Sequence, residues 1–210
     1  MNLKNKKILI TAGPTWVPID DVRVISNIAT GETGILLAEK FQQFGAKVTL
    51  VLGPVASCCL SSKIKLIHFK FFDELFKIIK SELGSKKYDL VIHSAAVADF
   101  KPKQVTKGKI ASGQARNLRL IPLPKIIREI RRLASGAMLV MFKLECGVFG
   151  ETLRKRARIA QRKIGADFVV ANSTHPYRAF LIDRVGNKVF TANNKIDLVK
   201  KLSRTLGSEP

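Results

Sequence analysis

The chain lacks the cysteine patterns of a zinc site and of a disulfide framework. It has three cysteines, of which Cys58 and Cys59 are adjacent, and no Cys-x-x-Cys pair. An unpaired set of this kind predicts reduced thiols in the cytosol. No run of apolar residues approaches the ~20 needed for a membrane span, and the apolar run after Lys7 is only of strand length. We therefore expect a soluble, cytoplasmic protein without a membrane span or signal peptide.

Acidic residues are scarce as well. The sequence has 16 of them against 37 lysines and arginines, which gives a formal net charge of +21. Such an excess suits nucleic acid, an anionic membrane surface or small anionic substrates. The basic residues are spread over many segments, without one patch interleaved with aromatic residues and without a recognisable nucleic-acid-binding motif. This distribution favours a solvated surface first, small anionic substrates second and specific nucleic-acid binding last.

What the sequence does contain is an alternation of short β-type runs with helical patterns. This alternation predicts an α/β fold, with a doubly wound, mostly parallel sheet. A polar segment at 101–114 predicts a flap, and the chain ends in a predicted β-hairpin and helix. With 46% hydrophobic residues, the 210 residues suit a single domain over 1–210. Strands are predicted at 8–12, 47–52, 64–69, 90–94, 118–121, 138–142, 168–171, 180–182 and 188–190, and helices at 34–44, 72–83, 125–133, 151–163 and 195–206.

The segment after the first predicted strand indicates a phosphate-binding turn. Gly13 follows the strand directly, and Gly31 and Gly34 stand at the start of the first predicted helix. Glycines let backbone amides approach an anion, and the positive end of a helix favours phosphate. The spacing is Gly-x-x-Gly rather than a complete dinucleotide-binding or P-loop motif, so helix packing alone explains it equally well. Arg23 and Asn27 in the intervening connection favour a ligand site, because a structural loop needs neither.

Small or polar residues follow other predicted strands, where open α/β sheets bind their ligands. Ala95, Ala96 and Asp99 follow one strand, and Asn172 follows another. Each suits a ligand contact, although Asp99 is also consistent with a helix cap or turn and Asn172 with a strained turn. In the flap, Lys109 suits the neutralisation of phosphate charge, although any loop of so basic a chain contains lysines. No catalytic triad, metal-ligand cluster or pair of acids emerges from the spacing.

A resemblance to a known family is carried by several segments in one order over nearly the whole chain. They are 10–15, 22–27 with Gly31 and Gly34, 95–100, 109–110, 124–125, 142–145 and 169–172. On these segments the chain resembles the phosphopantothenoylcysteine synthetases, or phosphopantothenate-cysteine ligases, of coenzyme A biosynthesis. The resemblance implies a Rossmann-like fold, a homodimer and a two-step ligation. CTP or ATP activates the carboxylate of phosphopantothenate with release of pyrophosphate, and the amine of cysteine then displaces the nucleoside monophosphate.

The same resemblance implies roles for individual residues. Asn27 is expected to contact the pantothenate part and the acyl-nucleotide, and Arg23 to reach the phosphate of phosphopantothenate across the dimer interface. Lys109 is expected to meet the nucleotide phosphates, so that Asn27 and Lys109 are the implied catalytic residues. The substrate pocket is completed by Ala95, Ala96 and Asp99, and the nucleotide is surrounded by Gly13, Thr30, Gly31, Gly34, Phe142 and Asn172. Mg²⁺ is implied by triphosphate chemistry, without visible ligand spacing.

The chain departs from the family pattern where the nucleotide is expected. Many members have Ser-Ser-Gly-Lys at the positions of Ala29, Thr30, Gly31 and Glu32, so a hydroxyl is lost and a carboxylate stands near the phosphates. We expect weaker nucleotide binding. The segment 142–145 is similar to eukaryotic members, which use ATP, whereas the front half is similar to bacterial ones, and the balance favours CTP.

Bacterial members are often fused to an N-terminal flavin-dependent decarboxylase. This sequence begins at the synthetase strand. We therefore expect that the chain binds no flavin and that a separate protein carries out the next step.

Two other functional classes stay open. An NAD(P)-binding Rossmann oxidoreductase is supported by the strand–turn–helix pattern. It is opposed by the missing third glycine and by Leu52 and Gly53, which end the second strand without an acidic residue. A basic nucleic-acid-binding protein is supported by the net charge alone.

Overall fold

The computed structural model describes residues 2–56, 60–174 and 176–207. Cys58 and Cys59 lie outside these ranges, and Cys146 is an exposed free thiol. In chain order the elements are β1 (Lys7–Ala12), β2 (Trp16–Pro18), β3 (Val24–Ser26), α1 (Glu32–Gln43), β4 (Lys47–Leu52), β5 (Lys65–His68), α2 (Phe72–Ser85), β6 (Leu90–His93), β7 (Phe100–Pro102), β8 (Leu120–Pro122), α3 (Ile126–Leu133), β9 (Met138–Cys146), α4 (Gly150–Ile164), β10 (Phe168–Thr174), β11 (Arg178–Ile182), β12 (Lys188–Ala192) and α5 (Lys195–Leu206).

The main sheet has eight strands in the order β12-β11-β10-β9-β6-β1-β4-β5. The six neighbouring strands β10-β9-β6-β1-β4-β5 pair in parallel. Next to β10, β11 and then β12 extend the sheet in antiparallel orientation. The predicted α/β fold, with its mostly parallel sheet and C-terminal hairpin, is confirmed. Because the direction of strand addition reverses between β1 and β6, the crevice beyond their carboxyl ends is the expected ligand site.

Helices cover both faces of this sheet, which explains why its central strands are apolar without interruption. One face packs on α1 and α5 through residues such as Leu37, Phe41 and Leu202. The other face packs on α2, α3 and α4, through residues such as Leu75 and Leu153. Strands buried on both faces need no alternation of polar and apolar residues. Within the described ranges, no helix is both long and apolar enough to cross a bilayer.

Two small ribbons lie outside the main sheet and were not predicted as such. β2 pairs with β3 in the connection between β1 and α1, and β8 pairs with β7 rather than joining the large sheet. Each of these strands has three residues, which is too short for a periodic pattern to indicate. The predicted flap therefore begins inside β7, and residues 103–119 form the loop between the two strands of that ribbon.

The last strands of the parallel set are longer than predicted. β9 continues to Cys146 and β10 to Thr174. Residues 143–145 and 172–174 therefore end these strands instead of following them as loops. The sequence pattern predicts earlier ends, because polar residues near the rim of a sheet interrupt an apolar run without ending the strand.

Candidate active site

The carboxyl ends of β1 and β6 stay joined beyond the strands themselves. The Ala96 amide donates a hydrogen bond to the Gly13 carbonyl at 2.9 Å, and the Thr15 amide donates to the Ala96 carbonyl at 3.3 Å. The same Ala96 carbonyl accepts a hydrogen bond from Nδ2 of Asn27 at 3.0 Å. Gly13, Asn27, Ala95 and Ala96, all expected in the site, therefore meet where the strand order reverses.

Three glycines bring the first turn of α1 against the end of β1. Gly13 and Gly31 have φ angles of +80° and +71°, in the region that favours glycine. A Cβ on Gly31 would lie 3.3 Å from the Gly13 nitrogen, and a Cβ on Gly34 would overlap that of Ala12. The start of the helix thus lies on the strand end, where its free amides and dipole favour an anion.

The departures from the family pattern lie at this helix start. Oγ1 of Thr30 accepts a hydrogen bond from the Glu32 amide at 3.4 Å. The Glu32 carboxylate pairs with Nζ of Lys195, the first residue of α5, at 2.5 Å. Lys195 therefore offsets the negative charge that the sequence places near the expected phosphates. Burial, with the charge of Glu32, raises the pKa of Tyr177 to about 12, so this phenol stays neutral.

Phe142 and Asn172 lie on the sheet face that packs on α1 and α5. Phe142 is opposite Val170 and packs against the core of that face. Asn172 is two residues farther along β10 and so faces the same side. Its Oδ1 is buried and accepts no hydrogen bond from any residue that the structure describes. An unpaired buried carbonyl oxygen is costly, and its chemistry suits acceptance of a hydrogen bond from an N–H group.

Asp99, expected in the substrate pocket, is exposed and ion-paired. Its Oδ1 lies 2.5 Å from Nζ of Lys125, which is the N-cap residue of α3. Its carbonyl accepts a hydrogen bond from the Leu123 amide at 2.8 Å. Asp99 precedes β7 rather than a helix, so the alternative of a helix cap is wrong. The residue joins the β7–β8 ribbon to the start of α3.

Arg23 and the flap meet at the buried carboxylate of Asp20. Nη1 of Arg23 lies 2.6 Å from Oδ2 of Asp20 and 3.1 Å from the carbonyl oxygen of Ile110. The Ile110 amide donates to the same Oδ2 at 3.0 Å. Together with the amides of Val22 and Arg23, this bond holds the pKa of Asp20 well below its usual range. Asp20 is therefore ionised whenever the protein is folded at neutral pH.

Lys109 is exposed beside this contact and borders a basic hollow. The hollow has a volume of about 780 Å³, and its basic side chains are Lys103, Lys109, Arg116 and Arg119. Ile110, the residue after Lys109, contacts Arg23, so the structure places Lys109 near Arg23. Gly13, Gly31 and Gly34 do not line this hollow. A group of four cations around one open space suits a multiply charged anion such as a phosphate.

The described part of the chain holds no protein metal centre, and the histidine at the end of β6 is buried. Among the residues that the structure describes, no three metal-ligating side chains come together. His93 is buried, and its Nδ1 lies 2.8 Å from Oγ1 of Thr11. Burial lowers the pKa of His93 to about 4, so the ring is neutral at pH 7 and belongs to the core.

Comparison with known proteins identifies the family. Residues 3–207 match the model of the DNA/pantothenate metabolism flavoprotein C-terminal domain. The chain belongs to this family. It is 41% identical over 172 residues to the coenzyme A biosynthesis bifunctional protein CoaBC of Thermococcus kodakarensis, covering 82% of this chain and 42% of that protein. CoaBC of Borreliella burgdorferi is 30% identical over 212 residues, which cover 97% of this chain and 53% of that protein. The chain spans about half the length of these relatives.

Solved structures share the fold over nearly the whole chain. The DNA/pantothenate metabolism flavoprotein from Streptococcus pneumoniae has a TM-score of 0.84 at 23% identity, covering 96% of this chain and 98% of that one. The C-terminal domain of a CoaBC protein has a TM-score of 0.80 at 25% identity, covering 98% and 96%. A Cab2 variant in complex with phosphopantothenate-cysteine has a TM-score of 0.77 at 21% identity, covering 97% and 85%.

Three residues that make ion pairs or hydrogen bonds around these groups have no role predicted from the sequence, although Lys125 lies in one of the segments that carry the resemblance. Asp20 has a local signal, since an aspartate that accepts from the amides two and three residues later is typical of a polar turn. Lys125 and Lys195 have no local signal, because their partners lie 26 and 163 residues away. Long-range ion pairs of this kind are visible only in the folded chain.

Proposed function

We propose that the chain is a phosphopantothenate-cysteine ligase acting through an acyl-nucleotide. The observation that carries this proposal is the hydrogen bond from Asn27 to the Ala96 carbonyl, which holds a side-chain amide at the reversal point of the sheet. Family membership supports it, because the relatives are named for coenzyme A biosynthesis and one structural neighbour binds phosphopantothenate-cysteine. These relatives carry further sequence beyond the matched part, so the activity is tested on this chain itself.

The reaction has two displacements. A carboxylate oxygen of phosphopantothenate attacks the α-phosphorus of the nucleotide, and pyrophosphate leaves. The amine of cysteine then attacks the acyl carbon, loses a proton and expels the nucleoside monophosphate. The intermediate is a mixed anhydride, which must be kept from water and held for the amine.

Each part of the proposed site suits one part of this chemistry. The turn of Gly13, Gly31 and Gly34, together with Thr30, suits the nucleotide phosphates, because it presents backbone amides and a helix N-terminus. Asn27, with Ala95 and Ala96, is proposed to orient the carboxylate and the acyl group, and Asp99 to border the same pocket. Lys109 is proposed to neutralise charge on the departing pyrophosphate.

The nucleobase is proposed to lie between Phe142 and Asn172. The ring of Phe142 offers an apolar surface, and the unpaired Oδ1 of Asn172 offers an acceptor. The 4-amino group of cytosine and the 6-amino group of adenine donate to such an oxygen, whereas uracil and guanine present a carbonyl oxygen at the corresponding position. We propose CTP as the preferred nucleotide, with ATP second.

Mg²⁺ is proposed to arrive as a complex with the triphosphate. The carboxylates of Glu32 and Asp99 are each paired with a lysine, and Glu145 is paired with both Lys143 and Arg156. These groups do not form an acidic cluster for a metal. Phosphate oxygens and water are sufficient ligands for Mg²⁺, and the metal would neutralise the triphosphate.

A second copy of the chain is proposed as the partner. Ile28 is fully exposed and Val22 is 65% exposed, in the connection that carries Arg23 and Asn27. Phe100 and Leu120 of the second ribbon are exposed as well. The two ribbons contact each other through β2 and β7, and exposed apolar side chains on adjoining segments are typical of an interface. In the homodimer, Arg23 is proposed to reach the phosphate of the phosphopantothenate bound by the other subunit.

The remaining parts of the proposal concern the cell. We propose that the chain acts in the cytoplasm and that a separate protein decarboxylates its product.

An oxidoreductase is disfavoured, because Leu52 and Gly53 at the end of β4 offer no carboxylate for a ribose. Specific nucleic-acid binding is disfavoured, because the basic hollow lies beside the proposed substrate site and suits small phosphates.

The test is pyrophosphate release by the purified chain with phosphopantothenate, Mg²⁺ and either CTP or ATP. We expect pyrophosphate release that depends on phosphopantothenate. We expect nucleoside monophosphate and the ligated product to form only when cysteine is added.

Asn27→Ala is expected to stay folded but to form no product. Lys109→Ala is expected to slow pyrophosphate release by about a hundredfold, as loss of one charge-stabilising donor does. Lys107→Ala, a neighbouring flap lysine, is the matched control. Absence of release with both nucleotides would refute the function.

A further inference from the structure

One buried carboxylate holds together two parts of the molecule that are far apart in sequence. Asp20 is 2% exposed, and four donors surround it. Oδ1 accepts from the amides of Val22 at 2.9 Å and Arg23 at 2.6 Å. Oδ2 accepts from Nη1 of Arg23 at 2.6 Å and from the amide of Ile110 at 3.0 Å. The first pair shapes the turn that presents Arg23, and the second pair attaches the flap to that turn.

The flap backbone is hydrogen-bonded on both sides of Lys109. Ile110 is held at its amide by Asp20 and at its carbonyl by Arg23. Gly108 is held at its amide by the Asp21 carboxylate at 2.7 Å and at its carbonyl by the Asp21 amide at 3.2 Å. The backbone of Lys109 is therefore anchored before and after the residue, while its exposed side chain stays free to meet an anion.

The chemistry of these contacts requires a carboxylate. All four partners of Asp20 are donors, and an ionised carboxyl is the side chain with acceptor sites for four donors and no hydrogen of its own. An amide of the same shape would direct its NH₂ group at two of the donors. Because the local turn is covalently constrained, the flap and the Arg23 guanidinium are the partners that would move away. Arg23 keeps Nε and Nη2 for a ligand, since only Nη1 forms a hydrogen bond to residues that the structure describes.

We infer that Asp20 is a positioning residue that couples Arg23 to Lys109, so that the arginine for the substrate phosphate and the lysine for the nucleotide phosphates form one anion-binding unit. This inference rests on the proposed function for the identity of the two anions. The coupling itself is a property of the fold. Asp20 is buried and its carboxylate is surrounded by four donors, so it acts through Arg23 and the flap backbone.

The first experiment measures the coupling without any substrate. Hydrogen exchange of peptides covering 106–111 is compared between the wild type and Asp20→Asn. Loss of a hydrogen bond to a charged group is expected to speed exchange of this segment about tenfold or more. Trypsin cleavage after Lys107 is expected to become faster in the same variant. Unchanged exchange and unchanged cleavage would overturn the inference.

Two matched controls accompany this variant. Asp21→Asn removes the neighbouring charge, but its carboxylate oxygen has one donor, which the oxygen of asparagine still accepts. Asp183→Asn lies in the turn between β11 and β12, where a carboxylate likewise accepts from the amides of Gly186 and Asn187. Neither control is expected to loosen 106–111. A similar loosening by either one would show a general loss of stability and overturn the assignment to Asp20.

The second experiment separates positioning from simple destabilisation. In Asp20→Asn, the KM for phosphopantothenate is expected to rise and the kcat of pyrophosphate release to fall, since both Arg23 and Lys109 lose their placement. Ile110→Pro removes the flap amide donor and restricts the backbone of Lys109, while the contact between Arg23 and Asp20 remains, so it is expected to lower kcat by a larger factor than it raises that KM. This variant also serves if Asp20→Asn does not fold. Unchanged kcat and KM in a variant with a loosened flap would overturn the inference. If the wild type releases no pyrophosphate, the proposed function fails, and the exchange data still decide whether Asp20 holds the flap.

Discussion

At the scale of single residues, Gly34 is the most closely packed of the three glycines in the proposed phosphate-binding turn. A Cβ there would overlap the Cβ of Ala12 and lie 2.8 Å from Oγ of Ser94. Gly34→Ala is therefore expected to lower the free energy of unfolding by about 1–3 kcal/mol, as overpacking does. The control is Gly84→Ala in α2, where a Cβ meets nothing within 4 Å. It is expected to stabilise the protein by roughly 0.5–1 kcal/mol. Urea unfolding measures both, and equal effects would contradict the packing argument.

Also at the residue scale, the ion pair with Lys195 is expected to determine how much Glu32 weakens nucleotide binding. Lys195→Gln leaves the carboxylate unpaired near the nucleotide phosphates, so the KM for the nucleotide is expected to rise about threefold, in keeping with an exposed ion pair. Glu32→Gln added to Lys195→Gln is expected to restore that KM. Lys200→Gln, another exposed lysine of α5, is the control. No change in Lys195→Gln would mean that Glu32 does not face the nucleotide.

At the scale of elements, Glu82 joins α2 to its neighbours. Its buried carboxylate accepts hydrogen bonds from Lys65 of β5, from Lys86 and from the hydroxyl of Tyr88. Although burial opposes ionisation, the bonds from Lys86, Tyr88 and Lys65 lower the pKa of Glu82 to about 2. A carboxyl with a lowered pKa stabilises the fold above its unfolded pKa and loses that contribution as the pH falls.

Glu82→Gln is therefore expected to destabilise the protein at pH 7 by about 1–2 kcal/mol, a value reduced because both lysines are half exposed. The difference from the wild type is expected to shrink between about pH 4.5 and pH 2 and to vanish below that range. Urea unfolding at several pH values measures it, with Glu151→Gln, an exposed carboxylate, as the control. A difference independent of pH would show that the carboxylate is not responsible.

At the scale of the whole molecule, the exposed apolar side chains of the two ribbons and of the connection after β3 are expected to determine the oligomeric state. Ile28→Asp places a charge in the proposed interface, so sedimentation is expected to shift from dimer to monomer. The same change is expected to abolish pyrophosphate release if Arg23 acts across the interface. Ile196→Asp on α5, where the side chain is 73% exposed, is the control and is expected to leave the dimer intact. A monomeric wild type with full activity would contradict the proposed dimer.

Several features of the fold, the site and the family could be predicted from the sequence alone. β4 (Lys47–Leu52) and α5 (Lys195–Leu206) have the predicted bounds, because uninterrupted apolar runs and helical periodicity are local signals. The closeness of Gly13 to Ala95 and Ala96 also followed from the sequence, since the carboxyl ends of parallel strands meet at one edge of a sheet. The family could be inferred from motifs in one order, and the comparisons confirmed it.

Only the tertiary structure decided which charges meet. Asp20 and Ile110 are 90 residues apart, and Glu32 and Lys195 are 163 residues apart. The pairing of β7 with β8, and of β2 with β3, likewise depends on how the main sheet places their connections. Such contacts leave no periodic pattern, because one side chain on each partner is enough to form them. They depend on the packing of the apolar strands and helices, which brings segments distant in sequence close together in the fold.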